Sequence, residues 1–135
     1  MPIRVILADD HSIVRDGLRR LIEASPDIRV QAEVETGEQA VREYLAMRPD
    51  VALFDLNMPG MGGLEALRRI LAHDDTARIL ILSMHEDAVY PARALQSGAR
   101  GYVTKRCAPD TLLEAVRAVA RGDIFLEPRI AQSWR

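Results

Sequence analysis

The chain has 135 residues, 48% of them hydrophobic, with 18 Lys+Arg against 20 Asp+Glu for a formal net charge of −2. That suits one compact domain with one core, and the acidic balance argues against direct contact with duplex nucleic acid, which draws a basic face. Cys107 is the single cysteine, so there is no internal disulfide, and no apolar run approaches the ~18 residues that span a bilayer; with no secretory pattern at the N-terminus, a cytoplasmic protein without membrane association is expected.

Ile3 to Ala8 is a nearly unbroken apolar run that stops at Asp9-Asp10-His11. Ile13/Val14, Gly17/Leu18 and Leu21/Ile22 then recur at helical spacing until Ser25-Pro26. Arg29 to Glu33 alternates, which suits a strand near a sheet edge, and Thr36 with Gln39 reads as a capping box opening a helix to about Met47. Val51 to Phe54 is a buried strand ending at Asp55. After the loop Leu56 to Gly63 comes a helix bearing Leu64, Leu67, Ile70 and Leu71. Ile79 to Leu82 is again wholly apolar and ends at Ser83. A helix around Val89 to Gln96 stops at Ser97-Gly98, with Pro91 placing its start near Tyr90. Gly101 to Thr104 is a short strand ending at Lys105, and Pro109 opens a helix carrying Leu112, Leu113, Val116 and Val119. From Asp123 onward periodicity fades, and residues 123–135 read as a partly ordered tail.

Five βα units in succession with continuous apolar strands predict an α/β fold. The expected form is a single doubly wound (βα)5 domain whose parallel five-stranded sheet, covered on both faces, has the order 2-1-3-4-5. In such a sheet, sites form at the carboxyl ends of the strands, beside the point where strand order reverses. The residues there are Asp9 and Asp10, Asp55, Ser83 and Lys105. Asp9-Asp10 alone would be ordinary turn formers. With Asp55 on the neighbouring strand, three carboxylates share one crevice, which calls for a cation, and oxygen ligands without Cys or His point to Mg²⁺. A carboxylate can also accept a phosphoryl group, whose oxygens then need a fixed cation and a hydroxyl donor. Ser83 and Lys105 supply these. Lys105 is the sole lysine among 18 basic residues, and its compact charge fits a tight site where a planar guanidinium would not.

The Asp9-Asp10 pair, Asp55 in LFDLNMPGMGG, Ser83 in ILILSMH and Lys105 in GARGYVTK resemble the response-regulator receiver family of two-component signalling, over nearly the whole chain. The resemblance implies that Asp55 is the phospho-acceptor and that Asp9, Asp10, Asp55 and the backbone carbonyl of Asn57 hold Mg²⁺. It further implies that Ser83 turns toward the phosphoryl group, that Tyr102 follows between outer and inner rotamers, and that Lys105 pairs with the phosphate. The partner would be a sensor histidine kinase, the response a homodimer on phosphorylation, and the only catalysis slow self-phosphorylation and self-dephosphorylation. ILADDHSIVRDGLRRLI and ALQSGARGYVTK are most similar to the LuxR/NarL/FixJ-type transcriptional regulators. On that basis residues 3–122 are expected to form the receiver and 123–135 the start of a linker. The DNA-binding domain would lie outside this chain, which itself would not bind nucleic acid. A stand-alone receiver that signals by docking is the alternative.

A hydrolase of the haloacid dehalogenase type would also use a strand-end Asp with Mg²⁺, but its pattern has a second Asp where this chain has Asn57. Ala108 stands where the receiver family often caps the last helix with Ser, at a cost of about 1 kcal/mol. His85 stands where the family tunes hydrolysis. It is otherwise read, like His11 and His73, as a surface histidine, and Met58, Met61 and Met84 are read as packing residues.

Overall fold

The computed structural model describes residues 1–128 and 130. Its elements run β1 (Ile3–Ala8), α1 (Ser12–Glu23), β2 (Ile28–Val34), α2 (Gly37–Met47), β3 (Val51–Asp55), α3 (Gly63–His73), β4 (Ile79–Ser83), α4 (Val89–Gln96), β5 (Gly101–Thr104), α5 (Pro109–Ala120) and β6 (Phe125–Leu126). All strands pair in parallel, in the order β2-β1-β3-β4-β5-β6. The doubly wound architecture and the order of the first five strands are as the apolar pattern predicts. The sixth strand is the difference. Phe125 and Leu126 pair with Gly101 and Tyr102 on the edge of β5, a two-residue strand too short to register as a periodic pattern.

β3 and β4 are buried along their whole length, which is why they read as unbroken apolar runs. β2 alternates buried and exposed positions, as an edge strand packed on one side should. Two cores flank the sheet. One joins Phe54, Ile79, Ile81 and Tyr102 to the inner faces of α2, α3 and α4; the other joins Leu7, Leu53, Leu80 and Val103 to Ile22, Leu112, Val116 and Val119. Burying each such side chain contributes about 1.5–3 kcal/mol, so these layers fix where the strands end.

Local signals behave as expected at several termini. Gln39 N–H donates to Thr36 Oγ1 at 3.2 Å, while Gln39 Oε1 accepts from Glu35 N–H at 2.9 Å, so the capping box closes onto the residue before the cap. Pro109 opens α5, and Ala108 in extended conformation leaves that helix without a side-chain cap. α4 begins at Val89, with Pro91 inside its first turn, where no intrahelical N–H is lost. α1 departs from its pattern: only Ile22 is buried, while Ile13 is 87% exposed. Residues 129 and 131–135 of the expected linker lie outside the described residues.

Candidate functional site

Register sets the site. Ala8 pairs with Phe54, Asp55 with Leu82 and Ser83 with Thr104. The residues that end or follow β1, β3, β4 and β5 therefore come out level at one end of the sheet. Asp9 N–H donates to Val34 O at 3.0 Å and Leu56 N–H to Leu82 O at 2.9 Å, so the ladder runs to the rim of the crevice. The loop after β3 is held back by a close approach. Gly63 N–H donates to Leu56 O at 3.1 Å, and a Cβ on Gly63 would lie 2.3 Å from the Asp55 carbonyl oxygen. Only glycine lets α3 start there.

The structure brings Asp9, Asp10, Asp55 and Lys105 together. Lys105 Nζ lies 3.0 Å from Asp55 Oδ2 and 2.8 Å from Asp9 Oδ2, the first contact being an aligned hydrogen bond and the second an ion pair off that alignment. Asp9 is fully buried and Asp55 nearly so. Burial pushes the Asp55 carboxyl above the ordinary carboxylate range despite the opposing Lys105 ammonium. Burial also works against the Lys105 charge, but its bonds to Asp9 and Asp55 outweigh that and leave its pKa raised. Asn57 N–H donates to Asp55 Oδ1 at 3.2 Å and so orients the carboxylate.

Among the described residues two buried oxygens, Asp9 Oδ2 and Asp10 Oδ1, make no aligned hydrogen bond, though the Lys105 ammonium lies against the first and the His11 ring against the second. Carboxylate oxygens with lone pairs not taken up by aligned donors are candidate ligands. One ligand atom each from Asp9, Asp10, His11 and Asp55 falls within 4.8 Å of the others, and the dominance of carboxylate suits a hard divalent cation. His11 is the unforeseen member. Its ring is mostly exposed, with Nδ1 3.4 Å from Asp9 and 3.3 Å from Asp10.

Ser83 is fully buried; its Oγ accepts from His85 N–H at 3.0 Å. The Tyr102 ring is also fully buried, and its hydroxyl donates to His85 O at 2.6 Å. Burial holds that phenol up at about 12, against the easing of a Ser83 hydrogen bond. The turn after β4 is thereby pinned at both ends of one residue. His85 departs from the surface-histidine reading: it is half-buried, stacks on Tyr90 at 4.1 Å between ring centroids, and sets Nε2 3.3 Å from Asn57 Nδ2. Arg15 is a further residue that sequence reasoning missed. It donates to Asp9 O at 2.6 Å while pairing with Glu33 and Glu35, and so braces the end of β1 against β2. Nothing in its spacing on α1 distinguished it from the other arginines. Met58 packs in the core and Met61 against it, whereas Met84 is half exposed.

The family model for the response regulator receiver domain matches residues 5–117. The chain belongs to this family. It is 41% identical over 96% of its length to the response regulator UvrY of Escherichia coli K12, of which it covers 60%. A crystal structure of a LuxR-family two-component response regulator from an Aurantimonas species superposes with TM-score 0.96 at 43% identity, covering 99% of this chain and 96% of that one. The isolated receiver of Salmonella RcsB, solved in the presence of the phosphomimetic BeF3-, superposes with TM-score 0.90 at 27% identity over all of both chains. RcsB is also known as two dimers bound to two parallel DNAs. The chain spans 56% to 61% of the length of the curated relatives it matches. It is thus a receiver domain of the LuxR/NarL type, a signalling unit. Among the described residues no helix is long and apolar enough to cross a membrane.

Proposed function

We propose that this receiver accepts a phosphoryl group on Asp55 from a sensor histidine kinase and converts it into a change of surface and of oligomeric state. The observation that carries this reading is the Lys105 ammonium shared between the buried carboxylates of Asp55 and Asp9. That compact ammonium offsets two buried carboxylates in the resting site, and it supports the reading because it is also the kind of charge a phosphoryl group on Asp55 would need.

In the transfer, an Asp55 carboxylate oxygen attacks phosphorus. The bond from phosphorus to the donor imidazole nitrogen breaks, and the bonding pair leaves with the imidazole. Asp9, Asp10, Asp55 and the Asn57 carbonyl would hold Mg²⁺, which when bound would supply charge neutralisation for the phosphoryl oxygens. Lys105 moves its contact from the Asp55 carboxylate to a phosphoryl oxygen without leaving its charge uncompensated. Ser83 gives up the His85 amide and donates to a second oxygen, and Tyr102, which moves between outer and inner rotamers, is then held in the inward one by its bond to His85 O. Phosphorylation then favours a homodimer. In this reading residues 3–122 form the receiver and 123–135 begin a linker, the first part of which packs on the β5 edge, toward a helix-turn-helix domain through which a cytoplasmic regulator would control transcription. The chain by itself, with net charge −2, does not bind DNA specifically.

Acetyl phosphate with Mg²⁺ should add one phosphoryl mass to the chain, and a chelator should abolish the gain. Sedimentation with beryllofluoride should raise the dimer fraction. Phosphoryl gain that ignores the chelator, or an unchanged monomer fraction, would sink the metal role and the dimer output respectively.

A further inference from the structure

Glu127 is a buried carboxylate, 4% exposed, for which the phosphoryl chemistry has no use. It stands just past β6, where the sequence reads as tail. Its Oε1 accepts from Thr104 N–H at 2.8 Å and from Thr104 Oγ1 at 3.1 Å. Around it, Phe125 N–H donates to Arg100 O at 2.9 Å, Glu127 N–H to Tyr102 O at 3.3 Å, and Ile130 N–H to Glu127 O at 2.9 Å. Ile130 is buried in the same cluster as Tyr102. At the other end of the segment, Arg78 donates to Ala120 O, and Arg100 donates to Gly122 O at 3.3 Å. Guanidinium groups thus hold the carbonyl end of α5 where the chain turns into β6.

The residues this segment grips are those of the switch. Tyr102 lends it a carbonyl. Thr104, the residue gripped by Glu127, pairs across the sheet with Ser83 and precedes Lys105, whose N–H in turn donates to Ser83 O at 2.8 Å. Without the segment, β5 would be an edge strand with the Thr104 N–H unpaired, an open template for another chain. With it, β5 is an interior strand and Tyr102 is sealed inward.

We propose that residues 125–128, together with Ile130, form a strap over the edge of β5, anchored by Glu127, whose docking is coupled to the occupancy of Asp55. This rests on Asp55 being the phospho-acceptor. The strap is docked in the arrangement with Tyr102 inward and hydrogen-bonded to His85 O. Docking therefore favours the arrangement that receives the phosphoryl group, and by reciprocity a group on Asp55 tightens the strap. Glu127 is in this sense a positioning residue, acting through Thr104 on Lys105 and Ser83. It gives the chain leading away from the receiver a direct reading of the switch strand.

The test pairs beryllofluoride titration in Mg²⁺ with amide hydrogen exchange over residues 101–104 and 125–128, in wild type, Glu127→Ala and Glu127→Gln. In wild type, beryllofluoride should slow exchange at both segments. Glu127→Ala should speed exchange at 125–128 and weaken beryllofluoride binding by about fivefold or more. Glu127→Gln keeps an acceptor oxygen for Thr104 and should restore most of both. Should Glu127→Ala fail to fold, Thr104→Val removes one of the two donors and should produce the same changes on a smaller scale. Unchanged beryllofluoride affinity in folded Glu127→Ala, or in Thr104→Val if the former does not fold, overturns the coupling while leaving the phospho-acceptor reading intact. No binding of beryllofluoride to wild type would instead overturn that reading, and the coupling with it.

Discussion

At the scale of single residues, the site depends on what kind of charge sits at each strand end. Lys105 bridges two carboxylates with one compact ammonium, in a chain whose other basic residues are all arginine. Lys105→Arg keeps the charge but enlarges and flattens it, so the guanidinium should crowd the phosphoryl oxygens or displace Ser83. We expect Asp55 still to be phosphorylated, thermal stability to change little, and beryllofluoride-driven dimerisation to weaken about tenfold, roughly 1.4 kcal/mol of coupling. Sedimentation of the variant beside wild type checks this, and full dimerisation would assign the lysine to coincidence. Asp9, Asp10, Asp55, Ser83 and Lys105 were legible in the sequence because each directly ends or follows an apolar run. His11, His85 and Arg15 were not, because their roles come from what faces them. His85 owes its half-buried place to the Tyr90 ring and to the Tyr102 hydroxyl on its carbonyl, contacts made across the fold and invisible to local spacing.

At the scale of elements, caps and cross-links separate what a helix does alone from what its neighbours do for it. Ala108 already has the extended backbone of an N-cap, with φ −64° and ψ 149°, but no side chain to bond the first turn of α5. Ala108→Ser should supply that bond and stabilise the protein by about 1 kcal/mol, read from denaturant unfolding; no gain would mean that solvent already serves those amides equally well. α5 is also tied to the turn before β2. Arg117 donates to Asp27 from two nitrogens, at 2.8 and 3.1 Å, and Ser25 Oγ joins the cluster. The Arg117 guanidinium, with help from the Ser25 hydroxyl, holds the Asp27 carboxyl well below the usual carboxylate range. A folded-state pKa below the unfolded value gives stability that is present above the unfolded pKa of about 4 and lost as pH falls below it. The stability advantage of wild type over Asp27→Asn should therefore shrink between pH 6 and pH 3 in thermal unfolding, and salt should reduce it, since the pair is half exposed. An advantage constant across that range would remove the ionic explanation. The first five strands and the helices other than α1, whose Ile13 and Val14 face outward, were readable because their apolar periods match the two cores. β6 was not, since two residues hold no period and its pairing is set by the edge of β5 that awaits it.

At the scale of the whole molecule, the doubly wound sheet gathers four strand ends into one crevice and leaves an edge at β5 for the segment that follows α5. In the proposed function the crevice takes the phosphoryl group and the edge carries its consequence outward. Fold and family could be read from the strand-end pattern, because a parallel sheet forces those residues together whatever the loops do. The connection to the tail could not, because it depends on one buried glutamate beyond the last helix. In the proposed function Asp55 and no other side chain takes the phosphoryl group. The most direct measurement treats the chain with acetyl phosphate and Mg²⁺, reduces the acyl phosphate with borohydride, and locates the resulting homoserine by peptide mass spectrometry. Homoserine at position 55 alone, and none in Asp55→Asn, is the predicted result. Reduction at another carboxylate in wild type, or phosphoryl gain at undiminished rate in Asp55→Asn, would contradict it.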